Sequence, residues 1–281
     1  MTFRRICRCS VALSAMLFSF PSSGLARDGV GGMKIDNNRV TAGSTANTIA
    51  FTYTADDASF RGRMHFVVPP GWTRPQAASP TRSGYVKLGR RGCAGATRLS
   101  GIQGRTLTIS AVCARGRSFR ITYSNVTAPQ MAADGYTFLT ATRDNPRKGK
   151  PAPRFLPLAP EKQPIVAVIG AAVDNYQVMT TSLAVAGTPF SLTVRPIDAY
   201  GNTARDATGA YYANTMSFTS TDAAATLPPP YAVVPGDFGT HTFRGLVLNT
   251  PGVQTIRVSD QNGITGESLP ITVSSYRSLR L

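Results

Sequence analysis

Two histidines, His65 and His241, are the whole imidazole complement of this 281-residue chain. Acid–base catalysis near neutral pH usually relies on such a group, held by an orienting partner. Both fall inside alternating, strand-like patterns in different parts of the chain, which suits a structural role. No G-x-S-x-G elbow, H-E-x-x-H helix, Walker loop or G-x-G-x-x-G turn occurs. The acids of the first half stand alone, apart from Asp56-Asp57, so no carboxylate pair is set for glycoside hydrolysis. The chain therefore reads as non-catalytic. The alternative is a secreted enzyme whose site is not visible from motifs.

Hard oxygen ligands are the next chemistry to weigh. Asp198, Asn202 and Asp206 lie in "RPIDAYGNTARDATG", and loop carboxylates with amide oxygens are the ligands that Ca²⁺ takes. The stretch lacks the D-x-[DN]-x-[DN]-G order of a dedicated calcium loop. Asp and Asn also cap turns with their own side chains, and that accounts for the same residues. Calcium is the one cofactor worth carrying, in the form of a calcium-stabilised adhesive module.

Cations are the most conspicuous resource. The chain holds 30 Lys/Arg against 14 Asp/Glu, net +16. Residues 27–164 carry 21 Lys/Arg and 7 Asp/Glu, whereas residues 165–281 carry 6 and 7. A half that basic is drawn to anionic polymers by long-range, salt-screened forces. The candidate contacts are Arg90 and Arg91, then Arg115, Arg117 and Arg120, then Arg147, Lys148 and Lys150. Arg115 and Arg117 share parity, so a regular strand would put them on one face. Arg forks suit sulfate, phosphate and carboxylate groups. Trp72, in "PPGWTRP", is a candidate platform for stacking on a sugar, with burial at a sandwich edge as the competing account.

The compartment follows from the N-terminus. Arg4, Arg5 and Arg8 precede an apolar stretch from Val11 to Phe20. Small residues then lead to Ala26. This is the layout of a cleaved secretory signal peptide over residues 1–26. No span of a membrane is expected after its removal. Cys93 and Cys113 are then the remaining cysteines, and an even pair in an exported chain reads as a disulfide. Closing a loop of that length is worth roughly 3 kcal/mol in the chain-entropy model. It would also bring "GRRGC" close to "CARGR", joining two basic stretches.

The elements that must position these groups are strands. "TIAFTYTA", "RGRMHFVVPP", "RTLTISAVCA" and "RSFRITYS" alternate apolar and polar residues, the mark of half-buried antiparallel strands. A Pro-rich basic stretch over 143–164 reads as a long loop with an edge strand near Phe155–Leu158. "PIVAVIG" then closes the first unit. Short strands bounded by Gly, Pro, Asn and Asp follow at immunoglobulin-like spacing. The expected architecture is all-β, with two tandem immunoglobulin-like β-sandwiches. One is a basic domain over 29–169 and the other spans 171–275, with a loose tail over 276–281.

"AGTPFSLTVRPIDAYGN", "STDAAATLP", "GTHTFRG" and "PGVQTIRVSD" follow one another in order. Over residues of about 183–260 they resemble the immunoglobulin-like repeats of bacterial exported and surface proteins, the invasin/intimin and filamin-like group. "VTAGSTANTIAFTYTA" and "VPPGWTRPQ" resemble such domains to a lesser extent. The resemblance implies sandwiches that serve as spacers, stalks or binding tips. Together these readings imply a secreted, periplasmic or cell-surface protein with a binding or structural role. Its expected partner is an anionic surface polymer or another envelope protein. Nucleic acid is not expected, because export and the lack of any recognition motif argue against it.

Overall fold

Along Phe60–Val67 every second side chain turns inward. Phe60, Met64 and Phe66 are buried while Arg61 and Arg63 are exposed. The same period governs Thr106–Cys113, where Leu107, Ile109, Ala111 and Cys113 are buried. A two-residue period allows one face for the core and one for water. A computed structural model describes residues 28–89, 92–93, 97–145, 151 and 153–275, so the N-terminal segment 1–26 and the tail 276–281 lie outside the described residues.

The chain is all-β, built as immunoglobulin-like β-sandwich. In its first half, one sheet orders Gly32–Ile35, Asn47–Thr54, Ser118–Val126 and Tyr85–Gly89. The facing sheet orders Leu156–Pro157, Thr140–Asp144, Phe60–Val67, Thr106–Cys113 and Arg98–Gln103, all antiparallel. The Pro-rich stretch thus supplies an edge strand, where a residue lacking N–H does no harm. Ile165–Ile169 pairs in parallel with Arg39–Thr41 and antiparallel with Ala133–Thr137.

Aromatic rings fill the space between the two sheets. Phe51 meets Phe66 and Phe138 at centroid distances of 4.9 and 4.8 Å. Trp72 is 1% exposed and sets its ring edge-on against Phe138 and Tyr136. Its loop is tied down from two sides: Arg105 Nη1 donates to the carbonyls of Pro69 and Trp72, and the Tyr123 hydroxyl donates to that of Thr73. Sugar stacking at Trp72 is thereby corrected, since the core covers the ring. Cys93 and Cys113 form a disulfide, and both are buried.

Buried hydrophobics fall into two clusters, one running from Met33 to Val168 and the other from Tyr176 to Val273. Around the second cluster stand three sheets. Phe190–Ile197 lies between Asn175–Thr180 and His241–Leu246, and Ile271–Ser274 between Leu183–Val185 and Gly252–Gln254. The third orders Tyr231–Ala232, Thr215–Ser220, Ile256–Asp260 and Thr265–Glu267. The chain passes between the halves at Gly170. A Cβ there would lie 2.0 Å from the Thr203 carbonyl oxygen, so the approach requires glycine.

One buried carboxylate staples the second half. Asp222, 3% exposed, accepts the N–H groups of Ala224, Asn249 and Thr250 and the Thr250 hydroxyl. Burial pushes its pKa up, but these donors outweigh it and hold the group at about 2, below its ordinary 3.8. The sign follows: the stabilisation is complete above the unfolded value and is lost as pH falls through the folded value. Asp222→Ala is expected to cost about 3 kcal/mol at pH 7. The difference from wild type should shrink toward pH 2. Urea unfolding followed by circular dichroism at both pH values checks this, and a pH-independent difference contradicts it.

Candidate anion-binding face

The outward face of the five-stranded sheet gathers arginines from three strands. Arg63 stands directly opposite Arg143 on one side and Ser110 on the other, and Ser110 stands opposite Arg98. One row across four strands therefore reads Arg143, Arg63, Ser110, Arg98. Strands lie roughly 4.8 Å apart, so Arg63 and Arg98 are about 10 Å apart at the backbone. Arg61 adds a fourth guanidinium one step along, opposite Val112, and His65 lies one step the other way, opposite Ala141 and Thr108.

No carboxylate balances this face. Asp144 is the one acid in these five strands, and it stands opposite Gly62, in the row that faces the core side of the sheet. Among the described residues, the ion pairs are Arg120–Asp36, Lys162 with Asp56 and Asp57, and His241–Asp237. None involves Arg61, Arg63, Arg98 or Arg143. Like charges directly opposite on a sheet cost stability, by up to about 1 kcal/mol. The folded state thus carries a repulsion at Arg63 and Arg143 that a bound anion would relieve.

Phe155 finishes one edge of the face. His65 stacks on it at 3.5 Å between centroids, and the Arg143 guanidinium lies 4.5 Å from the ring centroid. Burial first, and then the Arg143 charge, lower the His65 pKa from its ordinary value. Among the described residues no carboxylate pairs with His65. That leaves the imidazole without the orienting partner that acid–base catalysis needs. A cleft of about 440 Å³ beside this edge is lined by Arg143 and Arg154 but also by Asp28 and Asp144. Its charges balance, so the open sheet face is the cationic surface.

The residues expected from the sequence to bind polyanions are placed differently. Arg115 and Arg117 lie past the end of their strand, in a turn closed by Arg117 N–H to the Ala114 carbonyl, so they share no strand face. Arg115 instead holds the neighbouring loop, through Ser59 and the Asp56 carbonyl. Arg120 faces out from the other sheet and pairs with Asp36 at 2.5 Å. Arg90, Arg91, Arg147, Lys148 and Lys150 lie outside the described residues.

In the 195–209 loop the hydrogen bonds show the acids acting as turn caps, the account weighed against calcium. Asp198 is 1% exposed, and its two oxygens accept N–H groups of Ala171, Tyr200 and Asn202, together with the Asn202 amide. Burial raises its pKa and the donors lower it further, for a net fall. Each Asp198 oxygen therefore faces two donors, which occupies both of its lone pairs. Asn202 reaches across to the first half, accepting from Ala132 N–H at 2.8 Å and donating to the Gln130 carbonyl at 2.7 Å. Asp206 caps its own turn, accepting from Thr208 N–H, the Thr208 hydroxyl and Ala210 N–H. The loop is a junction between the halves, and its two acids serve it as turn caps.

Sequence reading missed four arginines and one pair. Arg61 and Arg63 were legible as an outward alternation. Arg98 and Arg143 join them only through register. His241 contacts Asp237 at 2.7 Å through Nδ1 and packs on Tyr231, whose hydroxyl also donates to Asp237. The four-residue spacing was the available signal. The same carboxylate accepts Val234 N–H, so the group closes a turn.

No protein-family model matches the chain, and no curated protein matches it. Among solved structures, it is similar to a C-terminal 282-residue fragment of intimin in complex with the translocated intimin receptor (Tir) intimin-binding domain. The identity is 12% and the TM-score 0.24, over 88% of this chain. The chain spans 64% of the length of that fragment.

Proposed function

We propose that the protein is an exported, non-catalytic binding protein that holds an anionic polymer of the cell surface or envelope against the first sandwich. The observation that carries this reading is the row Arg143, Arg63, Ser110, Arg98, with Arg61 beside it and no carboxylate on the face. The N-terminal targeting pattern and the cysteine pair support export. Guanidinium groups bind sulfate, phosphate and carboxylate through paired N–H donors. Sheet-mounted arginines also repeat along two directions, which matches a polymer of repeating charge better than a single small ligand. The second half, with its near-neutral charge, serves as the support that carries the basic half.

Retention on heparin or on anionic cell-wall polymer at about 0.15 M salt tests the reading. Replacing Arg61, Arg63, Arg98 and Arg143 with Glu should abolish retention. Arg63→Ala alone should weaken it about two- to fivefold, the scale of one exposed ion pair. Elution of the fourfold variant at the wild-type salt concentration would refute the assignment.

A pH effect accompanies it. A bound anion favours protonated His65, so the His65 pKa must rise on binding and affinity must increase as pH falls through that range. The groups facing His65 are Arg63, Arg143, Thr108, Ala141 and Phe155, none of them acidic. His65→Gln should flatten the change in eluting salt between pH 7.5 and 5. An unaltered pH response in that variant would remove His65 from the binding face.

A further inference from the structure

A second cationic feature lies away from the sheet face, where the two halves meet. Arg205 N–H donates to the Ala171 carbonyl at 2.9 Å, drawing the 198–209 loop against the chain that leaves the first half. Beside this contact is a cavity of about 420 Å³, with lining from Arg39 and Thr41 of the first half and from Arg205 to Gly209 of the second. Clefts between units are frequent ligand sites.

Two guanidinium groups converge there on one residue. Arg39 Nη1 lies 3.8 Å from where a Cβ on Gly209 would stand, and Arg205 Nη1 lies 3.5 Å from the Gly209 carbonyl oxygen. Neither arginine belongs to an ion pair among the described residues. The Arg205 Cζ lies over Tyr211, 3.5 Å from the ring centroid, and its Nε is buried without a hydrogen-bond partner. A buried donor left open calls for an explanation, and an unseen acceptor is one. The lining holds one carboxylate, Asp206, and one of its oxygens is committed to three donors in its own turn. Stacking on Tyr211 accounts for where Arg205 lies. It does not account for a second guanidinium brought to the same glycine from the other half.

We propose that this junction cavity binds a small oxyanion, clamped between Arg39 of the first half and Arg205 of the second. Two cations with one committed carboxylate between them leave net positive charge, and guanidinium forks match sulfate and phosphate oxygens. Such a ligand touches both halves, so its binding ties them together. The inference does not depend on the sheet face, because neither Arg39 nor Arg205 belongs to it.

The test is calorimetric titration of the full chain with inorganic sulfate, chloride being exchanged to hold ionic strength constant. Saturable one-to-one binding is expected in the wild type. Arg39→Gln, at an exposed strand position, should weaken it at least tenfold. Arg244→Gln, at an exposed position of the His241–Leu246 strand, should leave it unchanged. Arg205→Lys keeps the charge but not the fork and should also weaken it. No saturable binding in the wild type overturns the proposal, as does equal binding by Arg39→Gln. Equal weakening in Arg244→Gln would likewise overturn it, because the sulfate would then be sensing overall charge.

Discussion

If the Phe60–Val67 strand slipped by one residue, Arg61 and Arg63 would enter the core and Met64 and Phe66 would leave it. Burying two unpaired guanidinium groups costs several kcal/mol each, while each large side chain exposed forfeits about 2 kcal/mol. That penalty fixes the register of the central strand. Everything on the five-stranded sheet inherits it. The core needs Met64 over Ile109 and Phe66 over Leu107. The same pairing sets Arg63 against Ser110 and Arg143 on the other surface. The arginine row is thus a consequence of core packing seen from outside. A rigid sheet then presents the cations at fixed spacing, which lowers the ordering cost when a ligand arrives.

The junction between the halves depends on a different constraint, the cost of a buried carboxylate. Asp198 is desolvated, and a lone desolvated charge is untenable. The N–H groups of Ala171, Tyr200 and Asn202 and the Asn202 amide surround it. Satisfying Asp198 therefore shapes the loop, and the shaped loop aims Asn202 at the backbone of residues 130–132. Gly43 leaves room for the Tyr200 ring, which would collide with any Cβ at that site. One carboxylate thus organises the turn and, through it, the contact between the two halves.

How much of this was legible in the sequence depends on the range of the interaction. Period-two alternation is local, so the inward sets Ile49, Phe51, Tyr53 and Leu107, Ile109, Cys113 could be read directly, and each is buried. The cysteine pair was legible because two thiols remain once the expected signal segment is set aside. Strand pairing is non-local. Arg98 and Arg143 lie 45 residues apart in sequence, and no local pattern says that one flanks the central strand while the other lies a strand beyond it on the far side. Where locality failed, the errors were specific. Parity placed Arg115 with Arg117, but the strand ends at Cys113 and Gly116 adopts a positive φ of 76° in the turn. Trp72 between prolines could be a platform or a plug at a sandwich edge, and the packing of Phe138 and Tyr136 shows the plug. The acids of the 195–209 loop were ambiguous for a chemical reason: a turn cap and a cation ligand use the same oxygen, and only the donors around it decide.

Charge segregation between the halves has its own physical logic. A half carrying 21 Lys/Arg against 7 Asp/Glu repels copies of itself at close range, and so resists self-association through that half. The second half, nearly neutral, carries no such barrier. Concentrating cations on one sandwich also raises the local potential more than spreading them would, because the low-dielectric interior screens less than water. Salt weakens that field with a screening length of about 8 Å at physiological strength. Arg143 and Arg63 stand on adjacent strands about 5 Å apart, inside that length. Arg98, three strands from Arg143 and about 14 Å away, lies beyond it. Fixing the arginines on a sheet whose register the core enforces holds these separations constant, which a flexible loop would not.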